Sequence, residues 1–444
     1  MTDHAIAGNE AVMPRREFGA KGIFAAVLGN AFEFYDFTIY AAYSAVIGAA
    51  FFPSTNKFAS LLAAVATFGV GFVARPVGGL VIGAFGDRAG RKPAMMLTIG
   101  LMALGSGMIG LIPSYAHIGV FAPILLVIAR LIQGFSAGGE MGPATMFMLE
   151  SAPAGKRYFY GSWQMASQNM SSIVVAIGGV LLATLTTTTA DPEGWGWRIP
   201  FLLGVLIAPV GIYIRNQLDE THEASADAPG SAGLMAELFT KYWRGILLGI
   251  GLICGGTITQ YFMLNMKTFA TTSLKLSETA GFTGTLMLGI TGMLGALAGG
   301  IAADRYGLKI VGLVPRLLLL VLAYPLMLLL VNEPSVWTLM LFIGVLMPLN
   351  AASSAALIVL MPYVFAKDIR STGLSFTYAA GVTLFGGTAI LVVDLLVEYL
   401  HNSLAGIYYM IAANIVLIIC VLLVKSTEKE DGQAERSGLP SRPA

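Results

Sequence analysis

Charge is what this chain has least of. Of its 444 residues only 11% are Asp, Glu, Lys or Arg, against 56% hydrophobic, whereas a water-soluble domain carries roughly a quarter charged residues. So little charge cannot cover a water-facing surface, and a mean hydropathy of +0.76 places the chain in a bilayer. Cysteine and histidine are scarce too. Cys254 and Cys420 both fall in apolar segments, so core thiols are expected rather than a disulfide, and no metal-ligand spacing is present. His4, His117, His222 and His401 are scattered through termini and loops, which argues against a metal cluster. The net charge of +1 offers no footprint for nucleic acid. No nucleophile–base pair stands out, so neither an enzyme nor a cofactor is expected. The N-terminus lacks an apolar region followed by a small-residue cleavage site, and no removable signal peptide is expected. The tail has no heptads, which excludes a coiled coil there.

What is abundant is glycine, at 53 residues, as expected where helices pack backbone to backbone in lipid. Twelve apolar stretches are long enough to span a bilayer. They run over 23–52, 58–84, 94–112, 119–149, 160–185 and 197–214, then 245–272, 279–302, 310–331, 336–365, 372–397 and 404–424. Several exceed the bilayer thickness, so tilts or kinks are expected, with Pro76, Pro123, Pro143, Pro348 and Pro362 as kink sites. An all-α membrane protein of twelve helices is predicted. A tail over 1–20, a bundle over 21–215, a polar linker over 216–243, a bundle over 244–424 and a second tail over 425–444 follow from the pattern. Lysine and arginine concentrate in the tails and even-numbered loops, which places both termini in the cytoplasm of a bacterial inner membrane.

The sequence Gly83-Ala-Phe-Gly-Asp87-Arg88-Ala-Gly90-Arg91-Lys92 joins stretches two and three. A degenerate copy, Gly300-Ile-Ala-Ala-Asp304-Arg305-Tyr-Gly307-Leu308-Lys309, joins eight and nine. A charged turn at the same place in each half implies a duplicated six-helix bundle. The acids and bases of these turns could form an ion-pair latch, made in one conformation and broken in another; the plainer alternative is ordinary membrane-flanking charge.

Five ionisable residues lie well inside the first half: Glu33, Asp36, Arg75, Arg130 and Glu140. Glu33, Arg75 and Glu140 each lie about ten residues from a cytoplasmic helix end, or roughly 15 Å at ~1.5 Å per residue, near the midplane. Glu33 and Asp36 share one face of the first helix. Such charges are costly unless paired or hydrated and mark function by default, although permanent structural pairs would satisfy the same pattern.

The charged turns resemble the loop signature of the major facilitator superfamily. The likeness narrows at Gly29-Asn30-Ala-Phe-Glu33-Phe-Tyr35-Asp36-Phe37, Ala74-Arg75-Pro76-Val-Gly78-Gly79, Arg130-Leu-Ile-Gln133-Gly134-Phe-Ser136-Ala-Gly138-Gly139-Glu140 and Gly196-Trp197-Arg198-Ile-Pro200-Phe201. These resemble the metabolite–proton symporter family, which carries citrate, α-ketoglutarate, and proline or betaine. Ser162-Trp163-Gln164-Met-Ala-Ser167-Gln168 is most similar to its citrate-type members. In the seventh stretch, Asn265-Met266-Lys267 departs from relatives that carry an aromatic and a proline.

The resemblance implies alternating access with a central site. Arg75 and Arg130 suit carboxylate binding, because arginine stays charged and binds in a fork. Glu33, Asp36 and Glu140 are the expected proton carriers. Gln133, Gln164, Gln168 and Asn169 from the first half, and Tyr261, Asn265, Asn350 and Tyr378 from the second, could complete the site or bond neighbouring helices. Lys267 could contact substrate or snorkel to the interface. Proton uptake and anion binding would then favour each other by linkage, with sodium coupling open. The expected partners are a small organic anion, first a di- or tricarboxylate, together with protons and membrane lipid, for a monomer. The alternatives are a zwitterionic osmolyte such as betaine or proline, or a receptor or scaffold that moves no solute.

Overall fold

Among the described residues helices follow one another with no strand, and continued or broken pieces group them into twelve, with a short turn of helix at Tyr115–Ile118 before the fourth. The computed structural model describes residues 20–89, 91–138, 145, 148–149, 152–153, 155–185, 191–216, 238–365 and 370–424. α1 is Ala20–Ala42, continued after a break at Tyr43 by Ser44–Phe51. α2 is Lys57–Val73 and Arg75–Ala89, α3 Arg91–Leu111, α4 Phe121–Ala137, α5 Arg157–Leu185 and α6 Ile199–Asn216. In the second half α7 is Trp243–Thr272, α8 Glu278–Tyr306, α9 Leu308–Asn332 and α10 Val336–Leu360. α11 is Arg370–Gly381 and Gly387–Tyr399 around a π-helical turn at Val382–Gly386, and α12 is Ala405–Leu423. Alternation puts the turns after α2 and α8 at one end of the molecule, hereafter the charged-turn end.

The two halves repeat one packing scheme. α2 and α3 pack on α4, and α3 on α6; six helices later, α8 and α9 pack on α10, and α9 on α12. The bundles meet through α5 on α8 and, by the same relation, α11 on α2. α7 and α10 are the most enclosed of the long spans, whereas α9 is the least enclosed.

Glycine sets the closest crossing. A Cβ on Gly134 of α4 would stand 1.6 Å from the Gly71 carbonyl of α2, and one on Gly78 would stand 1.8 Å from the Phe135 carbonyl. The glycines of the two resemblance motifs are therefore required by backbone contact between α2 and α4. Along the same crossing the Arg75 and Arg130 guanidinium groups both reach the Phe37 ring of α1.

Kinks follow proline in part. Pro76 coincides with the break of α2 at Ala74. Having no N–H, it cannot bond the carbonyl of Phe72 four residues back; Thr383 Oγ1, in the π-helical turn of α11, donates to that oxygen at 3.0 Å. Pro348 lies inside α10, and Pro362 opens a 3-10 turn after it. Pro123 stands in the first turn of α4, where no bond is lost. Pro209, Pro315 and Pro325 are further helix-interior prolines. Pro143 lies outside the described residues.

Both cysteines are free. Of the expected linker, 217–237 lies outside the described residues. Its last part is not extended: 238–241 is helical, and buried Leu238 packs on Ile246 and Phe365.

Candidate functional site

Four of the five expected intramembrane charges lie in one cluster beside α1. Arg75 Nη2 pairs with Glu33 Oε1 at 3.2 Å, and both residues are buried. Arg130, fully buried, donates to Gln133 Oε1 at 2.6 Å. Gln133 Nε2 donates to Ser106 Oγ at 2.9 Å, and Ser106 hydrogen-bonds Asp36. Asp36 is thus tied to Arg130 by a neutral relay. Aromatic rings complete the cage. The Arg75 guanidinium lies 4.5 Å from the Phe37 ring and 4.6 Å from that of Phe72. Arg130 lies 5.2 Å from Phe37, 4.5 Å from Tyr40 and 5.1 Å from Phe68. Each such contact is worth up to ~2 kcal/mol when desolvated, which helps to offset the burial of two cations. Glu140 lies outside the described residues.

Two cavities flank this cluster. The first lies between the bundles and is lined by Gln168, Gln260, Tyr261, Ser354 and Tyr378, with apolar walls from α1, α5, α7, α10 and α11. Most lining residues come from the part of their helix nearer the charged-turn end, while Gln260 and Tyr261 lie just past the middle of α7. Tyr378 hydrogen-bonds Gln168 from bundle to bundle. The Tyr261 ring stacks edge-on to Phe72 at 5.6 Å, so Arg75 stands one ring behind the cavity wall. The second lies behind α1 and is lined by Glu33, Asp36, Thr98, Met102, Ser136 and Gly204 among others. Glu33 and Asp36 share that face, as their spacing implies.

Opposite the charged turns the bundles are closed. Thr268 of α7 donates to the Ala41 carbonyl of α1 at 3.3 Å. Lys267 pairs with Glu278 at 2.7 Å and lies 4.9 Å from the Phe282 ring and 5.5 Å from Tyr43. Lys267 is therefore buried at a closed gate; it neither snorkels nor lines the cavity.

Other expected site residues serve helix packing. Gln164 and Asn30 exchange bonds between α5 and α1: Gln164 Nε2 donates to Asn30 Oδ1 at 3.0 Å, and Asn30 Nδ2 to the Gln164 carbonyl at 3.0 Å. Asn169 bonds back to Met165 within α5. Asn265 donates to Asp394 at 2.8 Å. Arg198 closes the end of α3 through the Ile112 carbonyl at 2.6 Å, and Trp197 is fully buried against Phe51 and Phe201. That motif braces the fold.

The second charged turn works differently from the expected ion-pair latch. Asp304 Oδ1 accepts from Tyr158 N at 2.8 Å, and Oδ2 from Phe159 N at 3.0 Å. These are unsatisfied N–H groups of the first turn of α5, so a carboxylate on one bundle caps a helix of the other, with the favourable dipole sign. Lys309 donates to the Val424 carbonyl, and Arg305 lies against the ring of Tyr306. The side chains of Asp87, Arg88, Arg91 and Lys92 lie outside the described residues.

Two further charges lie inside helices of the second half, Asp394 half-buried and Arg316 fully buried. Asp394 of α11 is the partner of Asn265. Arg316 of α9 is fully buried and held by four neutral oxygens. Its Nη1 donates to Asn350 Oδ1 at 2.7 Å and Asn414 Oδ1 at 2.9 Å, its Nε to Ser353 Oγ at 3.1 Å, and its Nη2 to Ser354 Oγ at 3.0 Å. It forms no ion pair among the described residues. Asn350, an expected site residue, thus stands behind the cavity and touches its wall through Gln260 at 3.4 Å. The signal for both charges was simply an ionisable residue inside an apolar run.

Comparison with known proteins accords with this arrangement. Residues 22–226 match the family described as "Sugar (and other) transporter". The chain is 35% identical to the citrate-proton symporter of Klebsiella pneumoniae, over 90% of each chain. It is 34% identical to the proline/betaine transporter of Escherichia coli (strain K12), over 92% of this chain and 83% of the relative. A crystal structure of a D-xylose-proton symporter superposes with a TM-score of 0.72 at 16% identity, covering 92% of this chain and 98% of the other.

Proposed function

Because this chain belongs to the metabolite–proton symporter family of the major facilitator superfamily, we propose that it carries a small organic anion with two or more carboxylates, citrate first, into the cell together with protons. The observation that carries this reading is the Arg75–Glu33 pair at 3.2 Å, one ring behind the wall of the central cavity. Glu33 and a substrate carboxylate compete for one guanidinium. Protonating Glu33 removes the competitor and frees the fork for bidentate binding. A buried arginine left with neither partner would cost several kcal/mol. Proton and anion therefore load together, which is coupling by linkage.

Asp36 is the second proton carrier. Its Oδ1 has no hydrogen-bond partner among the described residues, and it faces the cavity behind α1 together with Glu33. Extra protons also let a polyanion enter against a negative-inside potential, at ~2.3 kcal/mol per charge per 100 mV. The charged-turn end is cytoplasmic on this reading, and the conformation described is closed to the outside.

One observation favours a second reading. Phe68, Phe72 and Tyr261 gather beside the cavity, with ring centroids 5.2–5.9 Å apart, and such rings accept a quaternary ammonium. Betaine or proline symport is therefore the alternative. Proteoliposomes separate the two readings. An acid jump outside should drive uptake of citrate or tricarballylate in preference to betaine, and Arg75→Gln should abolish it. Uptake of betaine or proline alone would replace the anion reading, and absence of counterflow with any solute would favour a receptor.

A further inference from the structure

The strongest unassigned feature is Arg316. A full positive charge lies buried in the second bundle, and every acceptor on it is neutral. Neutral oxygens satisfy its hydrogen bonds but leave its charge uncompensated. It also lies one atomic layer from the cavity between the bundles. Ser354, on Nη2, lines that cavity, and so does Gly256. A Cβ on Gly256 would stand 3.6 Å from Arg316 Nη2 and 2.9 Å from Ser354 Oγ. The missing side chain of Gly256 therefore leaves a window through which the guanidinium edge faces the cavity.

We propose that Arg316, reached through the window at Gly256, binds a second carboxylate of the substrate. The carboxylate replaces Ser354 Oγ on Nη2, while Asn350, Asn414 and Ser353 hold the rest of the guanidinium in place. The exchange substitutes a charge-assisted bond for a neutral one. One carboxylate is then held by Arg75 in the first bundle and another by Arg316 in the second. The substrate bridges the halves, and its charge count becomes the selected property. The inference rests on the anion reading of this cavity and extends it to a specific residue.

The test measures binding to the purified full-length protein of citrate and of its two monoamides, in which one carboxylate becomes an uncharged isostere. In the wild type at least one monoamide should bind 10-fold or more weakly than citrate. In Arg316→Gln that ratio should collapse toward one. Gly256→Ala keeps the cation, adds only a methyl to a helix, and blocks the window; its ratio should collapse as well, and it decides the matter if Arg316→Gln fails to fold. A wild-type-like ratio in folded Arg316→Gln or in Gly256→Ala overturns this inference alone. Failure of the wild type to bind citrate overturns the anion reading and this inference with it.

Discussion

Asp36 and Arg130 do not touch: Ser106 and Gln133 stand between them, so the carboxylate senses the guanidinium through a chain of neutral side chains. A direct pair would hold Asp36 ionised. The relay leaves it able to exchange a proton while Arg130 stays fixed among Phe37, Tyr40 and Phe68. Asp36→Asn is therefore expected to lower pH-driven uphill uptake at least 10-fold while solute–solute counterflow persists. Parallel assays in proteoliposomes check it, and equal loss of both activities would assign Asp36 a structural role.

Protonation of Glu33 should release Arg75, so Glu33→Gln should mimic the protonated carrier. The pH dependence of anion binding to the purified protein should weaken, leaving the part due to Asp36 and to the ligand's own carboxyls, whereas in the wild type affinity rises more steeply as pH falls. Titrating binding between pH 5 and 8 gives the slope, and an unchanged slope would rule out Glu33 as the competing group.

Thr383 satisfies the Phe72 carbonyl that Pro76 cannot bond. Thr383→Val leaves that oxygen with only the Ala74 N–H and should destabilise the protein by about 0.5–1 kcal/mol. Thr383→Ser should restore most of the loss. Thermal unfolding in detergent compares the three.

Lys267 is nearly fully buried, whereas Glu278 is about a third exposed. Lys267→Met strands one charge and should cost about 1–3 kcal/mol, less than the 3–5 of a fully buried pair because water reaches Glu278. Lys267→Met with Glu278→Gln should recover part of that loss. A double-mutant cycle in thermal stability gives the coupling.

The Asp304 cap joins the bundles at the charged-turn end. Asp304→Ala removes a charge–dipole contact of about 0.3–1 kcal/mol together with two hydrogen bonds. The open population at that end should rise severalfold. Labelling of a cysteine placed at Met361, on the cavity wall, reports it: faster modification in the Asp304→Ala background is expected.

Hydropathy made the twelve helices legible, because only apolar runs of that length satisfy a bilayer. Glu33, Asp36, Arg75 and Arg130 were legible too, since charge inside an apolar run is rarely accidental. Arg316 was harder to read. It lies near the start of the run 310–331, where a long side chain ordinarily reaches the interface, and no motif surrounds it. Its acceptors come from α10 and α12, so only folding reveals the site. Lys267 is a similar case: a lysine at that position can reach the interface, but Glu278 holds it inside. The Asp304 contact was hidden because its donors are backbone groups, which no side-chain pattern encodes.

α8 meets α5 through glycines of α8 that receive side chains of α5. Gly289 lies against Ile173, Gly292 against Asn169 and Gly300 against Ser162. Because α8 presents no side chain at these three positions, the α5 side chains seated there can part from it without a rotamer change on α8. A methyl at Gly292 would meet Asn169 Oδ1 at 2.4 Å and act as a ratchet tooth, holding the transporter in one posture while its ligand chamber stays intact.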